Sequence, residues 1–246
     1  MKTSSEKEKP IQSLAALHES ASLRAVTGPL LRPGGFRLTE RGLSLCKFPP
    51  SARIVDIGCG TGASVAFLRD KHHFSALGLD SSEDLLRGNG PRGHLPLAVA
   101  RAEELPIAPD ACDGILCECV LSLVLEPDRA LSEFVRVLRP GGYLILSDLY
   151  DRCQEKPETA CAEKSNSPLR NRGALESLVV ASGFELLVWE DQTKCLKELA
   201  AQLILSQEFL PDFCDFFAAC GFEADYSSVR RSFPRPGYFL LVAQKK

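Results

Sequence analysis

Residues 54–62 read Ile54-Val55-Asp56-Ile57-Gly58-Cys59-Gly60-Thr61-Gly62, and residues 77–80 read Leu77-Gly78-Leu79-Asp80. The first stretch runs a short apolar strand into three glycines at alternate positions, and helical spacing follows over Ala63 to Lys71. Glycines placed there let the backbone approach a ligand where a side chain would collide, and the helix after them offers free N–H groups. A glycine loop by itself is a weak signal. Asp80 gives it weight, because this carboxylate ends the second predicted strand 22 residues after Gly58, where it can accept hydrogen bonds from both ribose hydroxyls. The loop lacks the Gly-Lys-Ser/Thr of a phosphate-binding loop, and its glycines are spaced more tightly than in the usual dinucleotide fingerprint. Asp56 adds a negative charge at the loop mouth, which repels a pyrophosphate and suits an amino group. The predicted ligand is nucleotide-like and cationic near this loop.

Outward from the loop, short apolar strands alternate with amphipathic helices, the pattern of a parallel sheet covered on both faces. Strands are predicted at Arg53 to Asp56, Ser75 to Leu79, Leu97 to Ala100, Gly114 to Cys117, Tyr143 to Ser147, Glu185 to Trp189 and Tyr238 to Gln244. Helices are predicted between them at Ala63 to Lys71, Ser82 to Arg87, Pro127 to Leu138 and Arg172 to Ser182. Two more follow at Thr193 to Gln207 and Pro211 to Cys220, and the polar stretch from Asp151 to Pro168 reads as loop. The fold class is therefore α/β, a Rossmann-like doubly wound and mostly parallel seven-stranded sheet. Residues 1–49 form an N-terminal tail and helical segment, with Arg32-Pro33-Gly34-Gly35 as a turn and Leu38 to Leu45 as a helix that Thr39 could cap. Residues 50–246 form the ligand-binding domain. Within it, residues 191–236 carry their own apolar faces, including Leu196, Leu199, Leu203, Phe213 and Phe217, and are expected to form an inserted helical lid.

Composition narrows the function. Hydrophobic residues make up 45% and charged residues 25% of the 246, which excludes wholesale disorder. A formal net charge of −3 argues against a cationic polymer binder, and no basic-aromatic interleaving points to nucleic acid. No apolar run approaches the ~20 residues of a membrane span. The polar start from Met1 to Lys9 lacks a secretory apolar core, so a cytoplasmic location with reduced thiols is expected despite ten cysteines.

Four stretches taken together resemble the class I S-adenosylmethionine-dependent methyltransferases of the type 11, UbiE-like group. They are Val55 to Gly62, Gly78-Leu79-Asp80, Glu103-Glu104-Leu105-Pro106, and Arg136-Val137-Leu138-Arg139-Pro140-Gly141-Gly142. The resemblance implies that S-adenosylmethionine is the cofactor. It implies that Asp56, Gly58, Cys59, Gly60 and Gly62 hold the methionyl end, that Asp80 holds the ribose, and that Ser81 and Glu103 lie near the adenine, with Ala102 and Cys117 lining the same pocket. One position departs from the family, where Arg101 stands in place of an Asp that accepts a hydrogen bond from the adenine amino group. An arginine cannot accept that bond. Either Glu103 or backbone carbonyls replace it, or adenine recognition is weaker here, or Arg101 simply points to solvent.

The expected reaction is transfer of a methyl group to a small-molecule acceptor. Asp113 to Leu123, with Arg136 to Gly142 and Ser147 to Tyr150, is similar to the corresponding part of arsenite methyltransferases, and that likeness makes Cys119 a candidate acceptor-site residue for a thiol or metalloid. Cys117 and Cys119 lie two apart at a strand end and so could face the same side. The remaining cysteines show no Cys-x-x-Cys pair, His72-His73 lie away from the predicted site, and no metal site is expected. Two other readings stand beside this one: a carbon or oxygen methyltransferase of the quinone type, with the lid holding an apolar ring, and a non-catalytic module that only binds the cofactor.

Overall fold

The computed structural model describes residues 32–87, 95–152, 169–205 and 236–246. They form one seven-stranded sheet with strand order β3-β2-β1-β4-β5-β7-β6. The strands are β1 (Arg53–Ile57), β2 (Ser75–Asp80), β3 (Leu97–Val99), β4 (Cys112–Glu118), β5 (Leu138–Asp151), β6 (Phe184–Asp191) and β7 (Pro236–Lys245). β1 to β5 pair in parallel, while β7 runs antiparallel between β5 and β6. The central strands are buried on both faces, which is why they read as continuous apolar runs with no alternation.

Helices α1 (Gly35–Ser44), α2 (Ala63–His72) and α6 (Thr193–Leu205) cover one face through Leu38, Leu43, Val65, Leu68 and Leu196. Helices α4 (Pro127–Val137) and α5 (Arg172–Ala181) cover the other. The short helix α3 (Glu83–Arg87) follows β2. In α4 the apolar spacing is direct, with Pro127 in the first turn and Ala130, Leu131, Phe134 and Val137 on the buried stripe. In α1 the close approach depends on Gly42, where a Cβ would sit 2.5 Å from Ile145 Cγ2. That contact presses α1 onto β5 and brings the residues at its start to the end of the sheet.

The structure corrects several boundaries. The first helix begins at Gly35 with Gly34 as its cap, three residues before the predicted start, so Thr39 is a buried residue inside the helix and caps nothing. β5 begins at Leu138, because Leu138 already pairs with Cys112 and a bulge then carries the ladder to Gly114 and Tyr143. The first part of the segment expected as a lid packs as α6 against the sheet, with Cys195 and Leu196 buried. The predicted helix over 211–220 and most of the predicted loop over 151–168 lie outside the described residues.

Candidate functional site

The parallel strands β1, β2, β4 and β5 end on one edge of the sheet, the place where open α/β sheets bind ligands. The glycine loop crosses this edge between β1 and α2. Gly58, Gly60 and Gly62 all have positive φ, at 68°, 53° and 80°. At Gly58 the constraint is also steric, since a Cβ there would run into Val120. At Gly60 a Cβ would meet nothing within 4 Å, so this peptide borders open space. The loop hangs on the neighbouring strand through Gly58 and Cys59, whose N–H groups donate to the Leu79 carbonyl at 2.7 and 3.1 Å.

Asp80 lies at the end of β2, buried, with one oxygen accepting from Gly60 N at 2.7 Å and the other from Ser82 N at 2.8 Å. The carboxylate thus faces the loop, and the following turn holds Ser81 at its rim. Asp56 is buried at the end of β1, and its Oδ2 is buried without a hydrogen-bond partner among the described residues. Burial raises its pKa, and the nearby carboxylate of Glu118 adds to the shift while Arg32 opposes it. Beyond β3, Ala102 and Glu103 are buried in a tight turn, whereas Arg101 is 62% exposed at its side chain and reaches back to Glu103 at 3.1 Å. Arg101 therefore does not stand in for a hydrogen-bond acceptor; it neutralises one.

The structure also brings in residues that the sequence motifs do not mark. Glu118, at the end of β4, pairs with Arg32 at 2.8 Å, and both side chains are almost fully buried. The Thr39 hydroxyl accepts from Arg32 at 2.7 Å and donates to Glu118. Arg32 further donates to Ser64 in the first turn of α2 at 3.0 Å. The available signal for this network is Glu118 itself, a carboxylate inside the apolar run Ile115-Leu116-Cys117-Glu118-Cys119-Val120, which requires a buried partner.

Cys117 and Cys119 do not converge. Cys117 lies inside β4 and packs in the core cluster shared with α4 and α5, while Cys119 packs against the opposite cluster. The expected shared side fails because Cys119 follows the strand with φ 59°, a left-handed conformation that breaks the alternation. The Cys119 thiol lies 3.0 Å from the Tyr238 hydroxyl, which is itself 3.1 Å from Ser147 Oγ. Burial pushes the pKa of both cysteines up, with the nearby Asp148 carboxylate adding to it. Neither is an activated thiolate. Among the described residues no three His, Cys, Asp or Glu side chains gather as a metal site, and the described cysteines carry free thiols. Asp148, at the end of β5, accepts from the backbone and hydroxyl of Ser122, which fixes the turn Leu121–Leu123 beside the site.

Residues 55–146 match the family described as "Methyltransferase domain". Methyltransferase GfsG of Streptomyces halstedii is 27% identical over 235 residues, covering 87% of this chain and 82% of that protein. The ubiquinone/menaquinone biosynthesis C-methyltransferase UbiE of Vibrio parahaemolyticus is 32% identical over 154 residues, covering 58% of this chain. The match spans 60% of the length of that UbiE. Among solved structures, the [4+2]-cyclase SpnF has a TM-score of 0.69 at 23% identity, covering 95% of this chain and 93% of that one. The geranyl diphosphate C-methyltransferase of Streptomyces coelicolor has a TM-score of 0.67 at 15% identity, covering 86% of this chain and 79% of that one. At these identities the structural likeness speaks for the fold alone.

Proposed function

We propose that the chain is a class I S-adenosylmethionine-dependent methyltransferase that transfers a methyl group from this cofactor to a small-molecule acceptor at carbon or oxygen. The observation that carries the cofactor part is the pairing of Asp80 with the glycine loop at the carboxyl edge of the sheet. The residues present fit S-adenosylmethionine. Asp80 would hold the ribose, Ser81 would lie near the adenine, and Gly58, Cys59, Gly60 and Gly62 would let the backbone lie against the ligand. The partnerless Oδ2 of Asp56 would take an ammonium, and Ala102, Glu103 and the backbone at Cys117 would complete the pocket. When bound, the cofactor supplies an electrophilic methyl carbon whose bond to sulfur breaks as a nucleophile attacks in line. What the protein adds is alignment and exclusion of water, which for methyl transfer supply much of the rate enhancement.

For the acceptor, the chemistry of the cysteines weighs against a metalloid. Among the described residues the site offers one half-buried, hydrogen-bonded thiol, fewer than the several soft ligands that such an ion needs, and Cys117 faces away. The UbiE relatives are named as C-methyltransferases and the cnsE relative of Penicillium expansum as an O-methyltransferase, which supports an acceptor at carbon or oxygen. The near-balanced charge supports a small acceptor over nucleic acid. No helix of the described residues is long and apolar enough to cross a membrane.

The test is calorimetric titration of the reduced protein with S-adenosylmethionine and S-adenosylhomocysteine, followed by transfer of labelled methyl to a panel of quinols, phenols and arsenite with thiols. Saturable binding that falls about 100-fold in Asp80→Ala is expected, since two charge-assisted hydrogen bonds to the ribose are lost. Label in a ring acceptor, unchanged in Cys119→Ser, supports the reading. Label in arsenite alone, abolished in Cys119→Ser, overturns the acceptor class, and no binding to the wild type overturns the whole.

A further inference from the structure

We propose that Ser122 and Asp148 form the acceptor-side base of the reaction, Ser122 Oγ taking the proton of an acceptor hydroxyl while its own proton passes to Asp148. This rests on the chain being a methyltransferase. It narrows the acceptor to a molecule with an ionisable hydroxyl of the phenol or enol type, attacked at that oxygen or at the carbon conjugated with it.

Position is the first argument. Ser122 lies in the turn Leu121–Leu123 just beyond the end of β4, and Asp148 lies near the end of β5, the strand paired with β4. This is the carboxyl edge, where open α/β sheets bind their ligands. Val120, two residues before Ser122, fills the space that a Cβ on Gly58 would take, so the turn borders the glycine loop. The Cys119 N–H donates to the Ser147 carbonyl at 2.8 Å and ties the start of the turn to β5 beside Asp148.

The second argument is the direction of the hydrogen bonds. Asp148 is 2% exposed. Its Oδ2 accepts from Ser122 N at 2.8 Å, and its Oδ1 accepts from Leu149 N and from Ser122 Oγ, both at 2.7 Å. The main-chain bonds already hold the turn. What the hydroxyl adds is a half-buried oxygen whose one proton is committed inward to a fully buried carboxylate. Its lone pairs remain, and among the described residues no group donates to them. A hydroxyl held this way can only accept from a ligand, and an acceptor O–H is the group it suits.

The third is where the proton goes. Burial raises the pKa of Asp148 in spite of the hydrogen bonds it accepts, which makes it the stronger base. The titratable side chains on which its charge acts are the thiols of Cys117 and Cys119, and burial keeps both protonated, so neither competes for the proton. In the step, the acceptor O–H bond breaks and its proton bonds to Ser122 Oγ, while the Ser122 O–H bond breaks and that proton bonds to Asp148 Oδ1. The electron pair left on the acceptor oxygen forms the bond to the methyl carbon, and the methyl–sulfur bond breaks with its pair on sulfur. Asp148 then returns the proton to water through the same hydroxyl. Attack from the conjugated carbon uses the same deprotonation, after which the hydrogen on that carbon is lost as a proton and the oxygen regains one. One proton is released per methyl group by either route.

The experiment measures kcat on the full chain with two acceptors that differ in acidity: an alkylphenol, whose pKa is close to the value of about 10 for tyrosine, and a nitrophenol already ionised in the assay. Ser122→Ala is expected to lower kcat about 100-fold for the alkylphenol, and the loss should shrink to about 3-fold for the nitrophenol, which has no proton to give. S-adenosylhomocysteine affinity by calorimetry should stay within about 2-fold. Asp148→Asn, a far weaker base of the same shape, should show the same selective loss, and Ser122→Thr should recover most of the rate. Where a variant fails to fold, the wild type alone decides: across phenols of graded acidity its rate should fall less than the ionised fraction falls, and a rate that follows that fraction one for one would overturn the base. Equal losses for the two acceptors would reduce the pair to a brace for the turn, and an unchanged rate would also overturn it. Methyl transfer to none of the hydroxyl acceptors by a protein that binds S-adenosylhomocysteine would overturn this proposal alone, whereas no binding would overturn the methyltransferase reading beneath it.

Discussion

The two ends of the carboxyl edge satisfy their polar groups by different means. At β1 and β2 the backbone does the work: Gly60 and Ser82 donate to Asp80, and Gly58 and Cys59 donate to Leu79, all through main-chain N–H groups. At β4, β5 and β7 side chains do it across long stretches of chain. Thr39 and Glu118 are 79 residues apart, Ser147 and Tyr238 are 91 apart, and Cys119 and Tyr238 are 119 apart. A surface made of backbone is indifferent to most side-chain changes and intolerant of an added Cβ, which suits a ligand that never changes. A surface made of side chains can be altered one residue at a time, which suits an acceptor that differs from one enzyme to the next.

The sharpest way to test the backbone end is to add one carbon to it. In Gly58→Ala the new Cβ collides with Val120 and φ stays positive, so a loss of about 3 kcal/mol or more is expected in urea denaturation. In Gly60→Ala nothing lies within 4 Å of the Cβ, and only the left-handed cost of about 1 kcal/mol remains. The same Cβ projects into the open side of the loop, so cofactor affinity should fall further than stability does. Equal stability losses in the two variants would mean that the loop is not held as tightly as its hydrogen bonds indicate.

At the side-chain end the matching change is Tyr238→Phe. It removes the buried hydroxyl between Cys119 and Ser147 and leaves both without that partner, for an expected loss of about 2 kcal/mol. S-adenosylhomocysteine affinity should stay within about 2-fold of wild type, because no ligand-holding group is touched. A loss of affinity like that of Gly60→Ala would break the division between the two ends.

This division also explains what the sequence made legible. The glycine loop, Asp80 and the alternation of strand and helix are local patterns, and the structure reproduces them within a few residues. Glu118 stands out in the sequence as a carboxylate among apolar neighbours, yet no local pattern names Arg32 or Thr39 as its partners. Thr39 looks like a cap because it precedes an apolar helical stripe, but Gly34 starts the helix earlier and turns the threonine inward. Cys117 and Cys119 look like a pair until one positive φ places them on opposite faces of the sheet. Each miss is a contact set by tertiary packing, where periodicity carries no information.

A third arrangement, in which side chains grip backbone, adds a pH test. Glu133 and Arg136 on α4 pair at 2.6 Å, and together they hold the Glu103-Glu104-Leu105-Pro106 motif and the residue after it, Glu133 accepting from Leu105 N and Arg136 donating to the Leu105 and Ile107 carbonyls. The hydrogen bond from Arg136, with that from Leu105 N, holds the Glu133 carboxyl below its ordinary value despite some burial. An acid depressed in the folded state stabilises fully above its unfolded value of about 4.3, and the contribution is lost as pH falls through the lower folded value. Asp56, Glu118 and Asp148 run the other way. Burial raises them, so the folded chain holds protons that the unfolded chain releases, and stability falls as pH climbs from the ordinary carboxylate value toward their raised ones. Comparing wild type with Glu133→Gln cancels those opposing acids. The gap between them should be about 1 kcal/mol near neutral pH, a figure reduced for the partial exposure of the pair, and it should narrow as thermal melts move from pH 5 toward pH 3. A gap that stays constant across that range would assign the effect to shape instead of charge, and α4 would then hold the motif by packing alone.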